Sequence, residues 1–254
     1  MRVMVFAGRG KNSYAVIHAL SEQYDDIMVL FEDGVPRTQF LKKRIKKLGL
    51  RTVIGQVAFV SLIPRHLRRV SRKRIREIVQ FYHLDQSDKF SDRVRIHTVS
   101  SINNDETIAY YNDFEPDVIV VNGTRIIAGS ILDRIHVPII NMHAGITPKY
   151  RGSHGGYWAV VNDDKSNCGV TIHFVNKGID TGGVIRQKRI ETTSEDNYVT
   201  YPLLQTGEGI KLELEVLKEL EETGKIETIS VDLPSMIWSH PTLFQYLKNI
   251  RKSR

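Results

Sequence analysis

The sequence predicts an α/β fold: an open, mostly parallel, Rossmann-like sheet with helices on both faces, followed by a small carboxyl-terminal appendage. Short apolar runs typical of central parallel strands alternate along the chain with segments of helical periodicity. The chain has 254 residues, 41% of them hydrophobic, which suits one large domain with a buried core. Neither internal repeats nor low-complexity segments interrupt this pattern.

The first half of the chain alternates predicted strands with predicted helices. Apolar runs predict strands at 2–8, 27–33, 94–101 and 116–123. Helical periodicity predicts helices at 13–23, 38–49, 105–114 and 126–135. Two basic segments are also helix-like, at 40–51 and 65–77. An opening of the βαβα kind favours a parallel sheet.

In the second half, a predicted strand at 137–145 carries Asn141 and His143 to its carboxyl end. Ligands bind at this end of the strands in open α/β sheets. Further strands are predicted at 168–175 and 182–191, and a long amphipathic helix within 198–224. We therefore predict a main domain over 1–190 with a basic insertion near 55–95. A carboxyl-terminal helix and an aromatic, basic tail are expected over 191–254.

Composition narrows the class of protein. No apolar run approaches the roughly 20 residues that cross a bilayer, and the stretch after Met1 lacks the zones of a signal peptide. We therefore expect a cytoplasmic protein without a membrane span. The lone Cys168 excludes an internal disulfide framework and a multi-cysteine zinc site, and we expect it to be a buried structural thiol.

The positive charge is unevenly distributed. The net charge is +7, and it is concentrated in the segments 40–51 and 65–77. These segments are either solvated helix faces or surfaces for a phosphate-bearing ligand, an anionic membrane or an acidic partner. Nucleic-acid binding is disfavoured, because no helix-turn-helix, zinc-finger or aromatic-interleaved pattern accompanies the arginines.

The glycine-containing turn after the first strand is a candidate anion site. Gly8 and Gly10 lie between a strand and a helix, where backbone amides and the helix dipole attract anions. The turn departs from a dinucleotide fingerprint because Ser13 stands where the third glycine would be, and the Walker lysine spacing is absent. It is therefore either a phosphate or carboxylate binder, with Lys11 as a charge donor, or simply a tight turn.

Acid/base chemistry is favoured by the stretch "NMHAGITPKYRGSHGG" at 141–156. A strand-end histidine such as His143 can exchange a proton near neutral pH, and Asn141 points to the same face with an amide donor for an oxyanion. Asp180 lies in a glycine-flanked loop from which it can approach the histidine. Each residue alone also has an ordinary structural explanation, a hydrogen-bonded histidine or an Asx-turn. We expect no metal, because the histidines at 143, 154 and 173 lack a short ligand spacing.

The residues from 141 to 187 resemble the catalytic half of the 10-formyltetrahydrofolate-dependent formyltransferases. The similar pieces are N-x-H, the following P-x-Y-x-G, the strand "GVTIHFV" and the D-x-G-G loop, in the family's order. The resemblance covers about 116–190 well and the amino-terminal strand and turn more loosely. One departure is the sequence from Gly145 to Pro148, where the family often has S-L-L-P.

The resemblance implies roles for particular residues. Asn141 would polarise the formyl carbonyl, His143 would be the acid/base, and Asp180 would hold its charge state or relay protons. It also implies that 10-formyltetrahydrofolate is the co-substrate. The residues implied to bind it are Arg125, Ile126, Ile127, Ile179 and Gly182.

We expect the acceptor to be an amino sugar carried on a nucleotide, as used in surface polysaccharide or O-antigen synthesis. Arginines would bind the diphosphate, and the aromatic residues Trp238, Phe244 and Tyr246 would stack on base or sugar. The acceptor-binding residues expected are Gly10, Lys11, Asn12, Lys149, Arg151 and His154.

Other functions remain open from the sequence. They are glycinamide ribonucleotide formylation, formyltetrahydrofolate hydrolysis, and a non-catalytic basic binding module on the same fold. A tRNA acceptor is disfavoured, because the carboxyl-terminal barrel of a methionyl-tRNA enzyme does not fit after about residue 190. The apolar tail makes a homodimer plausible.

Overall fold

The computed structural model of the chain describes residues 1–250 and 252. Within them it contains nine strands, two of which have only two residues. They are β1 (Val3–Gly8), β2 (Ile27–Glu32), β3 (Val94–Val99), β4 (Val118–Asn122), β5 (Ile139–His143), β6 (Arg151–Gly152), β7 (Gly169–Phe174), β8 (Val184–Arg189) and β9 (Ile237–Trp238).

Helices connect most of the strands. They are α1 (Lys11–Gln23), α2 (Arg37–Leu48), α3 (Leu50–Val70), α4 (Arg72–Phe81), α5 (Asp105–Phe114), α6 (Gly129–Leu132), α7 (Gly155–Val161), α8 (Tyr201–Thr223) and α9 (Leu243–Lys248). A short 3-10 helix spans Lys165–Asn167. Over the part of the chain that the structure describes, no helix combines the length and the apolar character needed to cross a bilayer.

The main sheet has seven strands in the order β3-β2-β1-β4-β5-β7-β8. The first five are parallel, and β7 and β8 extend the sheet in antiparallel fashion. This confirms the predicted open, mostly parallel sheet. The chain moves outward from β1 to β3 and then returns to β4 on the other side of β1, so a crevice opens between β1 and β4.

Successive side chains of the central strands point to opposite faces of the sheet, and helices cover both faces. Val3 and Val5 of β1 pack in one cluster with α1 and α8, whereas Met4 and Phe6 pack in another with α5 and α6. Each central strand is therefore buried on both sides, which requires the continuous apolar runs seen in the sequence. A third cluster joins α3, α4 and α7 to the start of α8.

Helix α8 is an integral part of the main domain. Val216 and Leu217 are fully buried in the cluster that covers one face of the sheet. Beyond this helix, the described tail returns to the domain, because β9 pairs with β6 and α9 packs against α3. The tail therefore packs on both halves of the preceding chain. The proposed boundary at 190 stays a prediction.

Some predicted elements differ from the structure. The helix expected at 126–135 is wrong except for the single turn of α6, because the preceding backbone is bonded to side chains; Ala128 N donates to Asn103 Oδ1 at 2.6 Å. The basic segments form three helices, separated at Gly49, where φ is +82°, and at Ser71. Helix α7 was not predicted, since its glycines disfavour a helix in isolation.

Candidate active site

Two clefts adjoin at the carboxyl edge of the sheet. Both are lined by Gly123, the residue that follows β4. Its φ of +75° belongs to the left-handed region that favours glycine, and its carbonyl oxygen lies 2.2 Å from where a Cβ on Gly8 would be. The backbones after β1 and β4 are therefore so close together that only glycine fits at position 8.

Asn141, His143 and Asp180 come together at this edge. The first two lie at the end of β5, and Asp180 lies in the loop between β7 and β8. Oδ2 of Asp180 lies 3.4 Å from Nδ1 of His143 and accepts a hydrogen bond from Gly152 N at 2.8 Å. The carboxylate therefore faces the histidine, as the sequence predicted for this pair.

His143 is buried, and one of its ring nitrogens is hydrogen-bonded. Nε2 lies 2.7 Å from the carbonyl oxygen of Tyr150, and because a carbonyl only accepts, Nε2 carries the proton in the neutral ring. Nδ1 then has the free lone pair, directed toward Asp180. Burial lowers the pKa of His143, although the charge of Asp180 and the bond to Tyr150 oppose that effect. The ring is accordingly a neutral base at physiological pH.

Asp180 remains ionised in this setting. Burial alone would raise the pKa of its carboxyl group, but a hydrogen bond from His173 and the charge of His143, when these rings are protonated, together with the Gly152 N–H, lower that pKa to about 2. Its backbone has a φ of +49°, an uncommon conformation for a residue other than glycine. The loop thus directs an ionised carboxylate between two histidines.

His173 belongs to the same cluster, and the sequence analysis treated it only as a possible metal ligand. It is the register partner of Asn141 in the antiparallel β5–β7 pair. Its Nδ1 donates to Phe174 O at 2.8 Å, so Nε2 is free to accept from the Asn141 amide at 3.1 Å. His173 therefore fixes the orientation of that amide. The sequence holds no signal for this register, because it arises from a pairing over 32 residues.

The smaller cleft contains most of the residues expected to bind the folate. Its walls include Arg125, Ile126, Ile127 and Ile179, together with Asn141, His173 and Asp180. Ile126 is 59% exposed, although it is a large apolar side chain. Apolar walls beside polar groups such as the Asn141 amide fit a flat heteroaromatic ring such as a pterin.

Gly182 is not among the residues lining this cleft. A Cβ at Gly182 would lie 1.6 Å from Phe174 O. Its role in the structure is close packing of the D-x-G-G loop on the end of β7, while direct contact with the folate stays a prediction.

Glu32 fastens the loop that forms this cleft. The residue ends β2, and its buried carboxylate accepts from Ile102 N at 2.9 Å and from Arg125 N at 2.8 Å. Arg125 Nε lies 2.8 Å from the same carboxylate, and the guanidinium also donates to the carbonyls of Asp33 and Ser100. The acidic residue at the end of β2 is therefore committed to the neighbouring loop and is not free to bind a ribose.

The larger cleft, of about 840 Å³, contains four of the residues expected to bind the acceptor. Those four are Gly10, Lys11, Asn12 and His154. Arg9 and Arg68 add two cations that the sequence analysis did not assign to the site, and none of the described lining residues is acidic. The cleft is large enough for a ligand of nucleotide size and attracts anions.

His154 links this cleft to the tail. Its Nε2 lies 2.6 Å from the Tyr198 hydroxyl and 3.0 Å from Nδ1 of His240. Burial, followed by the proximity of His240, lowers the pKa of His154 to about 3. It therefore stays neutral and contributes a hydrogen-bonding wall rather than a charge.

Lys149 and Arg151 are placed elsewhere. The ammonium of Lys149 pairs with Asp164 at 2.6 Å, and Arg151 donates to Ile179 O at 3.2 Å. Neither is among the residues that line the large cleft. Arg151 acts on the Asp180 loop, so its contribution is to position that loop.

The tail aromatics are used in packing. Trp238 stacks on Trp158 with ring centroids 4.8 Å apart, and Tyr246 is buried beside Phe59. Phe244 is 76% exposed, and none of the three expected aromatics lines the large cleft. The aromatic side chain that does line it is Tyr198.

Metal and thiol chemistry find little support in the described residues. Across 1–250 and 252, no group of three or more His, Cys, Asp or Glu side chains is arranged to hold a metal ion. Cys168 is buried, which raises the pKa of its thiol to about 12. A thiol with that pKa supplies almost no thiolate at neutral pH.

The fold is an open α/β sheet with an Asn–His–Asp cluster at its carboxyl edge, and comparison with known proteins identifies its family. The Formyl transferase family model matches residues 1–203, so the chain belongs to this family. A methionyl-tRNA formyltransferase from Agathobacter rectalis is 32% identical over 149 residues, 54% of this chain and 48% of that protein. One from Pelotomaculum thermopropionicum is 42% identical over 89 residues, 35% of this chain and 28% of that protein. The chain thus spans about half or less of the length of these relatives.

Solved structures share the fold. A likely sugar N-formyltransferase from Mycobacterium tuberculosis superposes with a TM-score of 0.60 at 14% identity, covering 99% of this chain and 87% of that chain. Phosphoribosylglycinamide formyltransferase from Streptococcus pneumoniae gives a TM-score of 0.56 at 21% identity, covering 87% and 98%. These likenesses support the α/β fold of the chain.

Proposed function

We propose that the protein is an N-formyltransferase that moves a formyl group from 10-formyltetrahydrofolate to the primary amine of a nucleotide-linked amino sugar. The observation that carries the proposal is the meeting of Asn141, His143 and Asp180 at the carboxyl edge of the sheet, where Asn141 and Asp180 line the smaller cleft. Membership of the formyl transferase family supports the transferred group. The smaller cleft would hold the folate, and the larger one the acceptor.

Each of the three side chains has a step in this reaction. Attack by the amine on the formyl carbon creates an oxyanion, and the Asn141 N–H not bonded to His173 would donate to it. Nδ1 of neutral His143 would take the proton from the attacking nitrogen, and Asp180 would stabilise the imidazolium formed. Return of this proton to the departing folate nitrogen completes the exchange of one C–N bond for another.

The acceptor class is supported by the charge and size of the larger cleft. Arg9, Lys11 and Arg68 are suited to a diphosphate, and the cleft volume of about 840 Å³ exceeds what a small free amine fills. Gln86 also lines the cleft, and its buried Nε2 has no hydrogen-bond partner among the described residues. An unsatisfied buried donor of this kind is suited to a polar ligand.

Methionyl-tRNA is the second candidate acceptor. Relatives named methionyl-tRNA formyltransferase match 35–65% of the chain at 28–42% identity, which favours this acceptor over other amines that are not sugars. The basic helices α2, α3 and α4 would then contact tRNA phosphates. This candidate predicts that formylation weakens steeply with salt.

A panel of acceptor amines tests the proposal. The protein is mixed with 10-formyltetrahydrofolate and either dTDP-, UDP- or GDP-linked 3- or 4-amino sugars, glycinamide ribonucleotide or methionyl-tRNA, and released tetrahydrofolate is followed by absorbance. We expect turnover with a nucleotide sugar and a loss of about 100-fold or more in His143→Ala. If methionyl-tRNA is the one amine that is formylated, it replaces the nucleotide sugar as the proposed acceptor. If no amine is formylated, the assignment as an enzyme is contradicted.

A further inference from the structure

Residues 37–76, which we call the basic segment, carry a charge opposite to that of the rest of the chain. The segment contains 14 lysines and arginines and no aspartate or glutamate. Because the whole chain has a net charge of +7, the remainder carries −7. Arg68 lines the larger cleft, as does the apolar Ile75, and Arg74 pairs with Asp196. Most of the other described cations of the segment neither line this cleft nor form such an ion pair. The proposed reaction therefore leaves the segment largely unexplained.

Helix α3 presents an apolar stripe on the same segment. Leu50, Ile54 and Val57 have the i, i+4, i+7 spacing of a single helix face and are 57%, 58% and 45% exposed. Val53, which lies beside this stripe, and Phe59, on the opposite side of the helix, are buried in the domain. Apolar side chains thus occupy the outer face of a helix whose inner face already has its packing partner.

Helix α2 contacts α3, where Arg44 donates to Gln56, but it has no core of its own. None of the residues 38–48 is buried, and Phe40 is 47% exposed. The helix contains Lys42, Lys43, Lys46 and Lys47, all exposed. The outer surface of the α2–α3 pair therefore combines apolar side chains with a dense set of cations.

Charge selects among the possible partners of this surface. A second copy placed with the same surface facing it would bring two sets of cations together, which opposes association. RNA would neutralise the lysines, but it offers the exposed aliphatic side chains little apolar surface in return. An anionic lipid bilayer provides both phosphate groups for the cations and an acyl boundary for the aliphatic residues.

We propose that the α2–α3 surface docks the protein on an anionic lipid bilayer as a peripheral, interfacial attachment. The cations approach the headgroups, and Leu50, Ile54 and Val57 enter the boundary with the acyl chains. Arg68, nearer the carboxyl end of α3, lines the acceptor cleft, so the docking helix also forms part of that wall. Docking therefore brings the cleft near the membrane surface.

Vesicle binding by the full chain tests the proposal without any acceptor or formyl donor. Co-sedimentation is measured with vesicles of phosphatidylcholine alone and with about one-third phosphatidylglycerol. We expect binding to the anionic vesicles only. Lys42→Glu with Lys46→Glu should weaken it by about 25-fold or more, since each basic residue near the surface contributes about fivefold. Lys89→Glu with Lys225→Glu, exposed positions outside the segment, makes the same change in net charge and should have little effect.

A charge-neutral variant separates a bilayer from a nucleic acid. Ile54→Ser with Val57→Ser keeps every cation, and both positions are exposed, so the fold should be retained with an unchanged Tm. We expect this variant to bind anionic vesicles about tenfold more weakly. The proposal would be overturned if this variant bound anionic vesicles as well as the unaltered protein does. It would also be overturned if the unaltered protein bound neutral vesicles equally well, or bound a tRNA more tightly than anionic vesicles.

Discussion

Asp180 controls the protonation of the proposed base through one contact. Its carboxylate lies 3.4 Å from Nδ1 of His143, and its charge raises the pKa of that histidine against the larger lowering caused by burial. An uncharged side chain in its place should let burial act unopposed. The histidine would then remain neutral to a lower pH, but its protonated form would lose its counter-ion.

We predict that Asp180→Asn lowers kcat/KM by about 100-fold or more and moves the acidic limb of the pH–rate profile to lower pH. The reaction needs neutral His143, so a lower pKa extends the active form toward acid. Steady-state rates measured from about pH 5 to 8 show both effects. Asp133→Asn, at an exposed carboxylate, is the control. A limb that stays in place or moves to higher pH would show that Asp180 does not act through the charge of His143.

At the residue scale, the sequence predicts what a single strand or loop contains and misses what strand pairing adds. Asn141 and His143 were predictable because alternation along one strand sends both to the same face. His173 was not, because its place beside Asn141 depends on the antiparallel register of β5 and β7. Lys149 has the charge expected of an anion ligand, but a neighbouring carboxylate, Asp164, already pairs with it.

The loop after β4 illustrates how one element depends on others. Residues 123–127 have no helical structure of their own, and the buried Glu32 at the end of β2 holds the Arg125 N–H at 2.8 Å. The same carboxylate bonds Ile102 N, so one side chain joins the ends of β2 and β4 to the segment after β3. The shape of the proposed folate cleft therefore depends on a residue that is not among those lining it.

We predict that Glu32→Gln raises KM for 10-formyltetrahydrofolate by about tenfold and changes kcat less, because an amide cannot accept at both of its ends. Initial rates at varied folate concentration separate the two constants. Asp33→Asn, which alters the adjacent exposed carboxylate, should leave both nearly unchanged. If kcat instead falls as much as KM rises, and if KM rises for both substrates, the substitution has loosened the domain in general.

Elements with an apolar core face were the predictable part of the fold. The central strands were correct because a run such as "VMVFAG" can only be buried on both sides. The helix expected at 126–135 was wrong because side chains from distant loops satisfy the backbone there. Helix α7 escaped prediction because Gly155 and Gly156, which packing requires, lower helix propensity.

At the scale of the whole molecule, two buried ionisable groups oppose one another across pH. His154 has a pKa lowered to about 3, so the folded state resists its protonation and loses stability as pH falls below the usual histidine range. Glu213 is fully buried on α8, and burial raises its pKa to about 8. Its Oε1 has no hydrogen-bond partner among the described residues. The folded state therefore keeps Glu213 protonated where the unfolded chain ionises it.

The sign of the Glu213 effect is opposite to that of a paired carboxylate. Its contribution to stability is fully present below the unfolded pKa of 4.5 and is lost as pH rises toward about 8. The histidines with lowered pKa act in the opposite direction near pH 6.5, because the unfolded chain is still partly protonated at each of them there. Between about pH 6.5 and 8, this one group should reduce the free energy of unfolding by about 2 kcal/mol.

We predict that Glu213→Gln removes most of this loss. Urea unfolding at about pH 6.5 and 8 gives the two free energies for each protein. From the lower to the higher pH the variant should lose about 2 kcal/mol less than the unaltered protein, because glutamine does not ionise. Glu215→Gln, an exposed position on the same helix, should keep the pH dependence of the unaltered protein. If Glu213→Gln and the unaltered protein lose stability in parallel, Glu213 is ionised in the fold and must have a counter-charge. That result would require α8 to sit less tightly on the sheet than its buried Val216 and Leu217 indicate.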